Sequence, residues 1–128
     1  MPSKKRVEEF VKAVETMPHD TVIEMYYTEN ASMQENQSKP RIGKARLIAN
    51  EQQVLENAKS VTSKCIRPFF IQEDQVIIKW KFRFEWKNNR YSEIEEVACQ
   101  IWDNEKIAQE QFFYDPQQFI PRKMKTAE

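Results

Sequence analysis

The chain has 128 residues, about one domain's length, and its 20 basic and 20 acidic side chains cancel, so no net charge draws it to nucleic acid or an anionic membrane. It contains one glycine, Gly43, where an average chain of this length has about nine, which excludes a dinucleotide fingerprint, a P-loop and a glycine-flanked nucleophile elbow. A mean hydropathy of −0.80 is low, but 12% of the residues are aromatic, so the composition is that of a globular domain with a charged surface and an aromatic interior.

Val7, Phe10, Val11, Val14 and Met17 recur at helical spacing and predict a first helix from about Ser3 to Met17. Pro18 stops it, and Asp20 is the predicted N-cap of a second helix whose stripe is Val22, Ile23, Tyr26 and Tyr27 and whose end falls near Asn30. Ala31 to Glu35 is a short extended piece, followed by a polar loop from Asn36 to Gly43. A third helix is predicted over Lys44 to Lys59, with Leu47, Ile48, Val54, Leu55 and Ala58 inward.

From Val61 the period changes to two. The clearest strand is Gln75 to Lys87, with Val76, Ile78, Trp80, Phe82, Phe84 and Trp86 on one face and Lys79, Lys81, Arg83, Glu85 and Lys87 on the other. Asn88-Asn89 turns the chain into a return strand from Tyr91 to Trp102. A second turn at Asp103 to Glu105 leads to the last long strand, Lys106 to Tyr114, and the tail from Pro121 reads as loose. Helices followed by an antiparallel meander make an α+β fold in a single domain, residues 1–128 with a core at about 7–119.

The length of the turn after Trp86 decides which residues share a face with the aromatic row. A two-residue turn at Asn88-Asn89 places Val97, Cys99 and Ile101 beside it. A three-residue turn including Arg90 places Ile94, Glu96, Ala98, Gln100 and Trp102 there instead, because a slip of one residue turns every side chain over.

Three segments together resemble a known family. They are the two short helices broken at Pro18, the run Tyr27-Thr-Glu-Asn-Ala-Ser-Met-Gln-Glu35 with Pro40-Arg-Ile-Gly-Lys44 opening the third helix, and the ending from Trp102 to Pro116. In order and spacing they resemble the SnoaL-like branch of the nuclear-transport-factor-two-like superfamily, which also includes ketosteroid isomerase. The resemblance implies a cone-shaped α+β barrel, with three N-terminal helices packed in the concave face of a curved, mainly antiparallel sheet. It implies an internal cavity for a small, largely apolar ligand and a homodimer through the convex face. It also places Ala98 inward, which favours the three-residue turn. Gly43 would then stand where the chain turns sharply at the cavity rim, in a backbone conformation that other residues resist.

The superfamily has no single activity, so function rests on the site. Glu35 stands where the isomerase pattern has its general base, and a carboxylate at an apolar cavity can take a proton from carbon. The isomerase's oxyanion tyrosine is replaced by Phe10 and its protonated aspartate by Ala98, so steroid isomerisation is not expected. Glu96, Gln100, Glu110 and Tyr114 are the available substitutes, with Glu96 and Tyr114 as candidate catalytic groups. Phe10, Tyr27, Trp80, Phe82, Phe84, Ala98, Gln100, Trp102, Glu110 and Phe112 make up the expected ligand-binding set. The expected reaction, if one occurs, is proton transfer of isomerase, cyclase or dehydratase type without metal or cofactor. The alternatives are a non-catalytic binding protein, and a protein-association module whose aromatics fill the cavity. A cavity below ~150 Å³ leaves no room for a drug-sized ligand and favours the last of these.

The other candidates are weaker. Rings and cations on the Gln75–Lys87 strand lie on opposite faces, and Glu93 and Glu95 oppose the cations, so no single-strand nucleic-acid site is expected. No apolar run approaches ~20 residues, and the start Met1-Pro-Ser-Lys-Lys-Arg lacks a signal-peptide core. Cys65 and Cys99 lack metal spacing and read as free thiols, which points to the cytoplasm, and the single histidine, His19, reads as a loop or cap residue.

Overall fold

A computed structural model describes residues 1–124 of the chain. The Ser3 side-chain oxygen accepts a hydrogen bond from the Arg6 amide at 3.0 Å and starts α1 (Lys4–Thr16), whose stripe of Val7, Phe10, Val11 and Val14 is buried. After Pro18 the chain re-enters a helix at once as α2 (His19–Tyr26). Pro18 is its N-cap, so Asp20 lies inside the first turn rather than at the expected cap, and its carboxylate accepts from the Thr21 amide at 2.9 Å. The second helix also ends four residues early. Tyr27 begins a strand, β1 (Tyr27–Glu35), because its ring and hydroxyl are drawn under the sheet, where both are buried.

Gly43 makes the turn that joins the short β2 (Arg41–Ile42) to α3 (Lys44–Asn57). Its φ of 103° and ψ of 127° lie where a side chain is strained, and its amide donates to the Ala31 carbonyl at 2.9 Å. This is the sharp turn expected of it. Elsewhere asparagine substitutes for glycine: Asn36, Asn89 and Asn104 all take positive φ at turns, as does Glu73.

The second half is four long strands, β3 (Ala58–Gln72), β4 (Gln75–Trp86), β5 (Arg90–Asp103) and β6 (Lys106–Phe113). The sheet order is β2-β1-β6-β5-β4-β3, antiparallel throughout except where β1 runs parallel to β6. The sheet curves around the three helices without closing, giving a cone. A further short strand, β7 (Arg122–Lys123), pairs with Arg90 and Tyr91 of β5, so this part of the expected loose tail is hydrogen-bonded; residues 125–128 of that tail lie outside the described residues.

The β4–β5 register settles the turn. Trp80 pairs with Glu96, Ile78 with Ala98 and Val76 with Gln100, while Val97, Cys99 and Ile101 face outward. The loop has three residues, but they are Lys87 to Asn89 rather than a set that includes Arg90. On the outer face Lys81 pairs with Glu93 at 3.3 Å and Arg83 with Glu93 at 3.0 Å, the facing acids expected from the sequence. Inside, Phe10 sits edge-on to Tyr26, Trp80 and Trp102, with ring centres 5.5 to 6.5 Å apart, and ties the first helix to the sheet.

The Gly43 turn yields a direct test. Gly43→Ala is expected to cost about 1–3 kcal/mol of stability in urea unfolding, with the m-value unchanged. Nothing lies within 4 Å of the added Cβ, so the loss would come from backbone strain alone. Wild-type stability in this variant would show that the turn relaxes without difficulty.

Candidate functional site

Between the helices and the concave face of the sheet lies a half-open pocket of about 120 Å³. Phe10, Val22 and Ile23 line it from the helices, and Trp80, Phe82 and Phe84 from β4. Four glutamates enter it from four different elements: Glu35 from β1, Glu51 from α3, Glu96 from β5 and Glu110 from β6. Arg41 is the one guanidinium in the lining.

The acids are held differently. Glu35 is the most accessible, with 42% of its side chain exposed; it accepts from Arg41 Nη2 at 3.2 Å and from the Tyr114 hydroxyl at 3.3 Å. Glu110 is buried within a chain of hydrogen bonds. The Tyr27 hydroxyl donates to its Oε1, Gln100 Nε2 donates to its Oε2 at 2.6 Å, and Gln100 Oε1 in turn accepts from the Trp102 indole at 2.9 Å. Glu96 is 7% exposed and makes no side-chain hydrogen bond among the described residues. Arg41 Nε is likewise buried without a partner.

Burial raises three of these carboxyls. Glu96 is pushed up to about 8, by desolvation first and then by the charges of Glu110, Glu35 and Glu51. Glu51 is pushed up to about 7 by desolvation, against the pull of Arg41. Glu110 is pushed up to about 7 by desolvation, although its bonds from Tyr27 and Gln100 favour the ionised form. Desolvation and the neighbouring Glu35 push the Tyr114 phenol up to about 12. At neutral pH the pocket therefore holds Glu96 mainly as the neutral acid.

A search of solved structures finds the same architecture repeatedly. A protein with a ketosteroid isomerase-like fold from Catenulispora acidiphila, in complex with trimethylamine, superposes with a TM-score of 0.76 at 10% identity over 92% of this chain and 91% of its own. A candidate SnoaL-like polyketide cyclase from Mesorhizobium loti gives 0.71 at 20% identity over 86% and 97%. An LEH-like epoxide hydrolase from M. tuberculosis gives 0.73 at 10% identity over 90% and 84%. The chain shares its fold with these ketosteroid isomerase-like and SnoaL-like proteins and with nuclear-transport-factor-two-like proteins. No protein-family model matches the sequence, and no curated protein does. At these identities the likeness is one of fold.

Within this nuclear-transport-factor-two-like fold, most of the residues expected at the site converge. Glu35, Glu96, Tyr114, Phe10, Tyr27, Trp80, Phe82, Phe84, Glu110 and Phe112 line one pocket. Ala98, Gln100 and Trp102 do not line it. They are buried behind the wall, where Gln100 and Trp102 support Glu110, because β5 runs on past the pocket under α1. The sequence reasoning missed Arg41, Glu51 and His19. Glu51 lies four residues after Leu47 on the inward face of α3, a helical spacing that could have shown it. His19 lines the pocket while its ring bonds Ser63 Oγ at 2.8 Å, so it is a wall residue rather than a loop cap; burial pushes its imidazole down. Among the described residues no group of three or more His, Cys, Asp or Glu is placed to hold a metal ion, and no helix is long and apolar enough to cross a membrane.

The raised carboxyls fix the sign of the pH dependence. Glu51, Glu96 and Glu110 hold protons in the folded chain that the unfolded chain, with an ordinary value of 4.5, has already released. Their contribution to stability is complete below about pH 4.5 and is lost as the pH rises through 7 to 8. Melting temperature is expected to fall by several degrees between about pH 5.5 and about pH 9, and Glu96→Gln to flatten that slope. An unchanged slope in this variant would mean that Glu96 ionises normally.

Proposed function

We propose that the protein binds a small organic molecule in this pocket and moves a proton on it without a cofactor, with Glu35 as the base. The observation that carries the reading is Glu96, a buried carboxyl with no protein partner in the same pocket as the better-solvated Glu35. Arg41 Nε is buried without a partner in the same pocket; such a group costs about 1–3 kcal/mol, and a ligand acceptor that bonds it recovers that loss. A buried carboxyl that keeps its proton near neutral pH is a group that general acid–base chemistry uses. Arg41 orients Glu35 and leaves its own buried Nε–H for an acceptor on the ligand.

The size of the pocket narrows the ligand. At about 120 Å³ it is below what a drug-sized molecule needs, so of the small, largely apolar ligands expected only the smallest fit. An apolar cavity of ~150 Å³ takes benzene, so a ligand of about four to six non-hydrogen atoms fits. The related fold in complex with trimethylamine supports a ligand on that scale.

The second reading is association through the convex face, where Ile101 and Phe113 are 40% and 38% exposed. The small volume favours it. Four glutamates in the cavity favour the first reading, because a cavity kept only for packing gains nothing from buried acids.

Proton abstraction can be read without knowing the natural substrate. Hydrogen–deuterium exchange at the carbon next to the carbonyl of hydroxyacetone, cyclopentanone and aminoacetone is followed by NMR in heavy water. The wild type is expected to accelerate at least one of them, and Glu35→Gln to lose about 100-fold or more of that rate while binding changes by less than a few-fold. Equal rates in the two proteins would remove Glu35 from the mechanism.

A further inference from the structure

The four pocket glutamates face one guanidinium, and that guanidinium is engaged by Glu35. Of the other donors, the Tyr27 hydroxyl and Gln100 amide are engaged on Glu110 and the Tyr114 hydroxyl on Glu35, while the Arg41 Nε–H is buried without a partner. Among the described residues Glu96 and Glu51 make no side-chain hydrogen bond or ion pair, and of the two Glu96 is the more than nine-tenths buried one. Its position is set by the sheet. Glu96 is the direct cross-strand neighbour of Trp80, on the same face, where side chains of opposed residues stand about 5 Å apart. Trp80 in turn stacks on Phe82, with ring centres 5.6 Å apart and planes 20° from parallel.

We propose that the ligand of this pocket is a small organic cation, an ammonium held between the free carboxyl of Glu96 and the rings of Trp80 and Phe82. The proposal rests on the pocket being the ligand site, and it adds the sign of the ligand's charge. An aromatic face and a carboxylate both attract a cation, and they do so most strongly where water is excluded. An anion would meet four carboxyl groups facing one guanidinium that Glu35 already engages.

Charge sign also bears on the chemistry. Proton abstraction beside a carbonyl leaves negative charge on oxygen, and Phe10 and Ala98 provide no donors for it. A cationic nitrogen within the substrate lowers the need for such donors. When the cation binds, Glu96 releases its proton and becomes the counter-ion. Glu51 and Glu110, both raised by burial, lie close enough to feel the same charge, while Arg41 opposes it and His19 is held neutral by burial.

The test compares two probes of nearly equal size and shape, tetramethylammonium and tert-butanol, by calorimetry and NMR titration of the intact chain. Tetramethylammonium is expected to bind about tenfold or more tightly, to shift the Trp80 indole resonance, and to bind more tightly as the pH rises from about 6 to about 9. Calorimetry in two buffers of different ionisation enthalpy is expected to show protons released on binding at about pH 7. Glu96→Gln, which breaks no hydrogen bond within the protein, is expected to weaken tetramethylammonium about tenfold and to leave tert-butanol within about twofold. Equal binding of the two probes to the wild type, or tetramethylammonium binding that is insensitive to pH, overturns the cation while leaving the pocket as the ligand site. Failure of both probes to shift any pocket resonance overturns the pocket reading itself, and the cation with it.

Discussion

The three residues between β4 and β5, Lys87 to Asn89, govern what enters the cone. Strand side chains alternate with a period of two, so the parity of this loop assigns every residue of the 14-residue β5 to one face or the other. The observed parity puts Ile94, Glu96, Ala98 and Gln100 inside with Trp80 and Phe82. The opposite parity would fill the interior with Val97, Cys99 and Ile101 and send two polar groups to solvent. Such an interior would be drier and simpler to stabilise. Asn89, at a φ of 62°, supports the observed turn, and the Trp86 carbonyl accepts from its amide at 3.2 Å.

Once Gln100 and Glu96 are inside, the rest of the polar interior follows. Glu110 lies opposite Gln100 on β6, so the two meet, and the parallel pairing of β6 with β1 brings the Tyr27 end of β1 alongside. Tyr27, Glu110, Gln100 and Trp102 each find a partner in one continuous chain of hydrogen bonds. A closed buried network fixes one packing, whereas a half-satisfied one costs more than an apolar core. Glu110 is tied into the scaffold, whereas Glu96 in the same pocket makes no side-chain hydrogen bond among the described residues.

How much of this the sequence shows depends on whether the signal is local. The α1 stripe and the alternation of β4 depend on spacing within one element, and both appear where expected. So does Gly43, because its requirement for an unusual φ is a property of one residue. Features that depend on partners far away in sequence are harder to see. The second helix stops at Tyr26 because Tyr27 is claimed by Glu110, 83 residues away, and no helical propensity reports that. Ala98, Gln100 and Trp102 have the inward parity, yet they lie too far along β5 to reach the pocket. Arg41 comes from a two-residue strand with no periodicity to report its direction, whereas Glu51 is legible in the spacing of α3, four residues after Leu47.

The volume and the charge of the pocket belong together. Trp80, Phe82 and Phe84 narrow the concave face, leaving room for only a few ligand atoms, while the same burial strips water from the acids between them. In a wider, wetter cavity Glu96 would ionise readily and bind a ligand charge weakly, since water screens it. In this narrow one neighbouring charges act on the buried acids: Glu96 is raised further by Glu110, Glu35 and Glu51, and Glu110 by Glu51. The residues of the aromatic row thus have two roles along one strand: they fill the core around Phe10, and they set the dielectric in which the acids work.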